Sequence, residues 1–160
     1  MRPAPHLIAA ALAAIGVSAC ATASVDVGYL TPTSGDDGYD MWVVEGRAAT
    51  GGIVKVGLAA RSKLGEVRDQ LSLAPELSVE MSPGPVTVGA RLGVSMLQLD
   101  LVDDEWTVGF GSPYLQPLVQ FRIGDPVYLF VGGTLEYQLA SDDGPNQLMV
   151  GAQLGLGIDL

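Results

Sequence analysis

Along most of this chain apolar and polar positions alternate one for one, which is the pattern of a β-strand with one face toward apolar surroundings. The clearest run covers 71–81. Leu71, Leu73, Pro75, Leu77, Val79 and Met81 share one face, and Ser72, Ala74, Glu76, Ser78 and Glu80 share the other. The run at 86–96 repeats it, with Val86, Val88, Ala90, Leu92, Val94 and Met96 against Thr87, Gly89, Arg91, Gly93 and Ser95. At the C-terminus Leu148, Val150, Ala152, Leu154, Leu156, Ile158 and Leu160 alternate with Gln147, Met149, Gly151, Gln153, Gly155, Gly157 and Asp159. Similar stretches at 24–31, 40–50, 54–61, 113–123 and 127–138 bring the number of predicted strands to eight. No stretch shows helical periodicity with caps.

The connections alternate in length as well. Those at 50–52, 82–85 and 124–125 are tight and rich in Gly and Pro, while those at 32–39, 62–70, 100–112 and 141–146 are longer and polar. Tight turns on one rim and longer loops on the other predict an up-and-down meander that closes as a barrel. Strands of this length suit a tilted crossing of a bilayer, which takes about 9–11 residues.

Alternation alone fits a membrane barrel with its apolar face outside and a soluble barrel with its apolar face around a ligand. The composition of the polar face separates them. It is crowded with glycine (Gly28, Gly57, Gly89, Gly93, Gly132, Gly151, Gly155 and Gly157), which gains nothing on a solvated surface but makes room for larger side chains in a narrow lumen. Arg47, Lys55, Arg61, Arg91 and Arg122 sit on that face with Asp26, Glu45, Glu76, Glu80, Glu136 and Asp159. Near-balanced charge, mostly arginine on the cationic side, is what an interior ion-pair lattice requires. Tyr29, Trp42 and Tyr137 fall on the apolar face near the long-loop rim, where amphipathic rings favour a membrane interface, and Phe121 is the one candidate at the other rim.

With these features the chain resembles the small eight-stranded outer-membrane barrels of the OmpA transmembrane-domain and OmpX type. The resemblance covers 24–160 and rests on architecture, charge placement and the apolar, alternating C-terminus. It implies an all-β, eight-stranded antiparallel up-and-down transmembrane β-barrel. It also implies contact with membrane lipids, lipopolysaccharide and the outer-membrane insertion machinery, with a monomer expected. The last strand of that group commonly ends in an aromatic residue, and here it ends in Leu160. Pro75 and Pro117 also depart from the pattern, because a closed ring has no edge to absorb a missing N–H, so each is expected at a bulge.

The first residues read as a targeting segment. Arg2 and His6 precede an uncharged apolar run at 7–17 that is too short to span a bilayer as a helix. Val17, Ser18, Ala19 and Cys20 match a lipoprotein box, with Cys20 as the lipidated residue, whereas Ala21, Thr22 and Ala23 form an alternative cleavage site that would discard Cys20. Residues 1–23 are therefore expected to be a cleaved signal peptide and 24–160 the barrel, exported to the bacterial outer membrane.

Chemistry is sparse. The formal net charge of −10 argues against nucleic acid, whose phosphates need a basic surface. His6 is the only histidine, so no Ser-His or His-Asp site can be assembled in the mature part, and no cofactor motif is present. Glu76, Glu80 and Glu136 have the chemistry of an acid–base pair, but salt bridges to Arg91 and its neighbours are the expected role. Asp36, Asp37, Asp103, Asp104, Glu105, Asp142 and Asp143 would gather on the long-loop rim as a candidate crown for Ca²⁺ or Mg²⁺, or serve simply as solvated turns. The sequence thus predicts a non-enzymatic barrel with a structural or surface-interaction role. A narrow pore for small solutes, or a lipid-anchored soluble periplasmic barrel holding an apolar ligand, are the alternatives.

Overall fold

The structure of the protein, a computed structural model, describes residues 21–33, 39–65, 69–100, 105–139 and 146–160, with backbone alone at 100 and 105–107. The expected signal segment up to Cys20 lies outside the described residues. Ten strand segments follow in chain order: β1 (Ala21–Pro32), β2 (Met41–Gly51), β3 (Val54–Gly65), β4 (Asp69–Met81), β5 (Val86–Val94), β6 (Leu97–Asp100), β7 (Glu105–Val108), β8 (Pro113–Gly124), β9 (Val127–Gln138) and β10 (Gln147–Asp159). Every pairing is antiparallel. β5 and β6 both pair with β4, while β8 pairs with β5 and β7 with β6, so β5–β6 and β7–β8 are two interrupted strands of the barrel wall.

The wall therefore has eight strands. β1 closes it against β10, from Thr22 opposite Asp159 to Pro32 opposite Met149. Closure pairs the backbone groups around the ring and leaves no sheet edge there.

The direction of the faces is set by alternation. Leu92 is 53% exposed and its neighbour Arg91 is 0% exposed. Val25, Val27, Val56, Leu77, Val131, Leu154 and Leu156 point outward with Leu92, and Asp26, Glu45, Arg47, Arg61, Glu76 and Glu136 are buried within. A soluble ligand-binding barrel needs the reverse arrangement, with apolar side chains around an internal cavity. The charged lumen overturns that alternative.

Some inward glycines are required by close approach. A Cβ at Gly93 would overlap the Tyr114 ring, and one at Gly157 would overlap the Tyr128 ring. At these two positions an aromatic ring lies inside the lumen over bare backbone.

Two expected loops are partly strand. β3 runs on to Gly65 and β4 begins at Asp69, leaving 66–68 as the connection where 62–70 was expected. Adjacent polar residues Ser62 and Lys63 hide the alternation there, although Lys63 is buried and Leu64 exposed in the proper order. The expected loop at 100–112 contains the end of β6 and all of β7, because a bulge interrupts the period between β7 and β8.

The two strand prolines differ. Between Leu73 opposite Leu97 and Glu76 opposite Gly93, two residues of β4 face three of the next strand. The Leu73 carbonyl accepts from the Met96 N–H, so Pro75, two residues on, turns to the same interrupted side. Its missing donor falls at a bulge, as expected. Pro117 does not: pairing with β9 lapses between Leu115 opposite Leu135 and Leu118 opposite Gly132 with no shift of register. The bulge of β8 lies at Arg122 and Gly124 instead.

An arginine placed mid-strand on the outer face tests the direction of the wall. Leu92→Arg or Val131→Arg is expected to lower stability in lipid vesicles by roughly 2–4 kcal/mol, and Tyr137→Arg near the rim by about 0–1 kcal/mol. Urea unfolding of the refolded variants gives the depth profile.

Candidate functional site

The lumen is spanned by a continuous set of ion pairs. Nearest the tight-turn rim, Lys55 on β3 donates to Glu80 Oε2 on β4 at 2.6 Å. Glu80 Oε1 lies 3.9 Å from Arg47 Nη1 on β2. Arg47 Nε donates to Glu76 Oε2, and Arg47 Nη2 donates to Ser78 Oγ at 3.0 Å. Glu76 also accepts the Tyr114 hydroxyl of β8 at 2.8 Å. The Arg61 guanidinium stands 3.9 Å over the Tyr114 ring. Arg61 donates to Glu45 Oε2 and to Glu136 Oε2, each at 3.0 Å. Lys63 donates to the other Glu136 oxygen, and Gln116 donates to Glu45 Oε2 at 3.1 Å.

Local sequence makes these reaches possible. Arg47 and Glu76 lie on β2 and β4, with β3 between them. The inward β3 residues there are Gly57, opposite Glu76, and Ala59, opposite Arg47. With almost no side chain in between, the guanidinium crosses β3. Arg61 and Lys63 meet Glu136 from β3 to β9, strands that share no ladder.

Among the described residues the lumen holds five cations (Arg47, Lys55, Arg61, Lys63 and Arg91) and five carboxylates (Asp26, Glu45, Glu76, Glu80 and Glu136). Equal numbers matter because an unpaired interior charge is expensive while a paired and hydrogen-bonded one is tolerated. Arg91 is the looser member. It lies 4.6 Å over the Phe130 ring, its nearest carboxylate oxygen is Asp26 Oδ2 at 4.0 Å, and neither group makes a hydrogen bond among the described residues. The expected pairing of Glu76 and Glu80 with Arg91 is therefore corrected: Arg47 and Lys55 take those carboxylates.

Arg122, also expected in the lattice, is not in the lumen. It is exposed at the tight-turn rim, 2.7 Å from Asp159 and 3.5 Å from Asp125, where the end of β8 opens to water. Sequence reasoning missed Lys63, which lay in a stretch read as loop, and it missed Tyr114 and Gln116. The latter two were legible, since Tyr114, Gln116 and Leu118 share one parity along β8 and all three are buried.

At the same rim Lys55, Glu80, Thr87, Gln120 and Tyr128 line a vestibule of about 570 Å³ that enters the barrel. At the long-loop end the lumen changes character. Leu30, Met41, Val43 and Met149 form a buried apolar cluster between β1, β2 and β10. Outside, Tyr29 and Trp42 meet edge to face at 5.1 Å and are exposed with Tyr39 and Tyr137. Asp40, just before β2, has its carboxyl held below the usual carboxylate range by hydrogen bonds with the Tyr29 and Thr31 side chains.

The inward carboxylates named as acid–base candidates are all engaged: Glu76 by Arg47, Glu80 by Lys55, and Glu136 by Arg61 and Lys63. Asp36, Asp37, Asp103, Asp104, Asp142 and Asp143 lie outside the described residues, and only the backbone of Glu105 is described.

Arg61→Leu leaves the buried Glu45 and Glu136 each short of a donor. It is expected to destabilise the barrel by about 3–5 kcal/mol. Arg122→Leu removes a water-washed pair and is expected to change stability by less than about 1 kcal/mol. Denaturant unfolding of both variants beside wild type measures the difference. Equal losses would mean that water reaches the lumen at Arg61.

No protein-family model matches the chain, and no curated protein matches it. Among solved structures it is similar to the crystal structure of Neisserial surface protein A, with 13% identity and a TM-score of 0.70 over 91% of this chain and 99% of that one. The N-terminal β-barrel domain of Pseudomonas aeruginosa OprF aligns over 84% of this chain and 97% of that one, with 13% identity and a TM-score of 0.47. At such identity the likeness to the Neisserial protein is one of fold. The chain has the closed, eight-stranded antiparallel barrel fold that its sequence predicts.

Proposed function

We propose that the protein resides in a bacterial outer membrane as a non-enzymatic barrel with a structural or surface-interaction role, its lumen closed by the ion-pair lattice. The observation that carries this reading is a belt of exposed aliphatic side chains around an interior of balanced charge, most of it hydrogen-bonded. Such an exterior is unfavourable in water and favourable in lipid. The fold similarity to a protein whose name calls it a surface protein supports the location. Membrane lipids are then its immediate partners, lipopolysaccharide meets the long-loop rim, the outer-membrane insertion machinery delivers it, and the closed ring needs no second copy.

The vestibule at the tight-turn rim favours a second reading, a narrow pore. It leads from Lys55 and Glu80 toward Arg47 and Glu76, where paired side chains fill the lumen. In the closed reading, small solutes enter but do not pass.

Two measurements test these readings. Unheated and boiled samples are expected to migrate differently in SDS, and the protein to stay with membranes through carbonate extraction, since a closed ring offers no edge from which to open. Protein extracted by carbonate without heat-modifiable migration would overturn the membrane location. In planar bilayers the purified barrel is expected to give no sustained conductance, and steady single-channel steps would establish the pore.

A further inference from the structure

One part of the wall outgrows the ring. The six uninterrupted strands hold 11 to 13 residues, whereas β5–β6 runs from 86 to 100 and β7–β8 from 105 to 124. β6 pairs with the long-loop end of β4, and among the described strands β7 pairs with β6 alone. The ladder of β8 with β9 ends at Tyr114 opposite Glu136, so the β6–β7 hairpin stands beyond it on the long-loop side.

The outer face of this hairpin is apolar. Gln98 turns inward, accepting from Gln70 Nε2 at 2.9 Å. Its strand neighbours Leu97 and Leu99 therefore face out, together with Val108 opposite Leu97. A bulge adds Phe110. Residues 109–112 face only Ser95 and Met96, held by Gly109 N donating to Met96 O at 2.9 Å and Gly111 N donating to Ser95 O at 2.6 Å. Ser112 and Tyr114 point inward, so strict alternation would carry Phe110 inward too, but the bulge turns it out. Val108 and Phe110 are 81% and 80% exposed, the most exposed large apolar side chains among the described residues.

A hairpin rising from a bilayer into water would have a polar outer face. This one continues the apolar row of Leu92 and Leu115 upward through Met96, Leu97 and Val108. Tyr29, Trp42 and Tyr137, exposed near the ends of their strands on the same side, mark the interface level. We infer that the β6–β7 hairpin rests on the lipid surface at the long-loop rim, with Val108 and Phe110 seated at the boundary of headgroups and acyl chains. This rests on the membrane reading above. The continuity with the lipid-facing wall, on a face with no polar side chain among the described residues to specify a protein, favours lipid as the occupant. A partner strand added to β7 is the alternative that the test must separate.

The test uses the full barrel refolded into phosphatidylcholine vesicles, brominated either near the headgroup or near the chain ends. In a Trp42→Phe/Trp106→Phe background, Phe110→Trp and Val108→Trp each supply a single fluorophore, and Leu154→Trp supplies a mid-wall control. Headgroup-proximal bromines are expected to quench positions 108 and 110 strongly and deep bromines weakly, with the reverse order at 154. If 154 is quenched while 108 and 110 show red-shifted, unquenched emission, the hairpin stands in water or awaits a protein, and the inference fails while the membrane reading stands. Quenching at none of the three would overturn both. Deepest quenching at 110 would also overturn it, placing the hairpin within the wall rather than on the surface.

Discussion

A strand set in hydrocarbon has no water to satisfy its N–H and C=O groups, so the pairing of β1 with β10 is the interaction on which the other features depend. Once the ring is closed, the two faces of every strand have different solvents. Lipid accepts only the apolar parity, and whatever remains must be packed within a lumen that eight strands make narrow. The interior charges of this chain are therefore a consequence of closure. Their number and position are then constrained by neutrality, which among the described residues is met by five cations and five carboxylates.

The lattice adds what backbone pairing cannot. Ladder hydrogen bonds tie each strand only to its neighbours, whereas Arg61 and Lys63 reach Glu136 across the lumen, Gln116 reaches Glu45, and Arg47 reaches Glu76 past β3. These contacts relate strands far apart around the ring. Replacing a whole buried ion pair with well-packed apolar groups is often neutral, while removing one partner is costly. The lattice is thus better understood as a device that penalises wrong arrangements than as a source of net stability. Arg91 and Asp26 belong to it by charge more than by hydrogen bonding, and Arg91 finds a face for its guanidinium on Phe130.

Most of the fold was legible because period-two alternation is the physical signature of a two-solvent wall, and glycine and arginine on the polar face settled which solvent lay where. The site was legible as a set of residues on one parity, and that much required only counting along each strand. Which carboxylate meets which cation was not legible. Glu76 pairs with Arg47 because Gly57 and Ala59 leave the way open on β3, a fact of three aligned strands that no single strand records. Lys63 was hidden because Ser62, an outward polar residue next to it, broke the pattern locally. Phe110 was hidden for the opposite reason, since the bulge at 109–112 changes the parity of everything beyond it.

Register is where closure and lattice meet. A slip of one residue in any strand would turn its lumen side chains into lipid, and in β2 that would expose Glu45 and Arg47 to hydrocarbon together. A slip of two would keep the parity and preserve the apolar belt, so the belt alone cannot prevent it. It would, however, carry Arg47 away from Glu76 and Ser78, or Arg61 away from Glu45 and Glu136, leaving buried charges unpaired. Tyr114 and Tyr128 act in the same way, because each ring occupies space that only Gly93 or Gly157 leaves free. Parity is thus held by the lipid, and register within that parity by the fit of rings over glycines and of guanidinium groups between carboxylates.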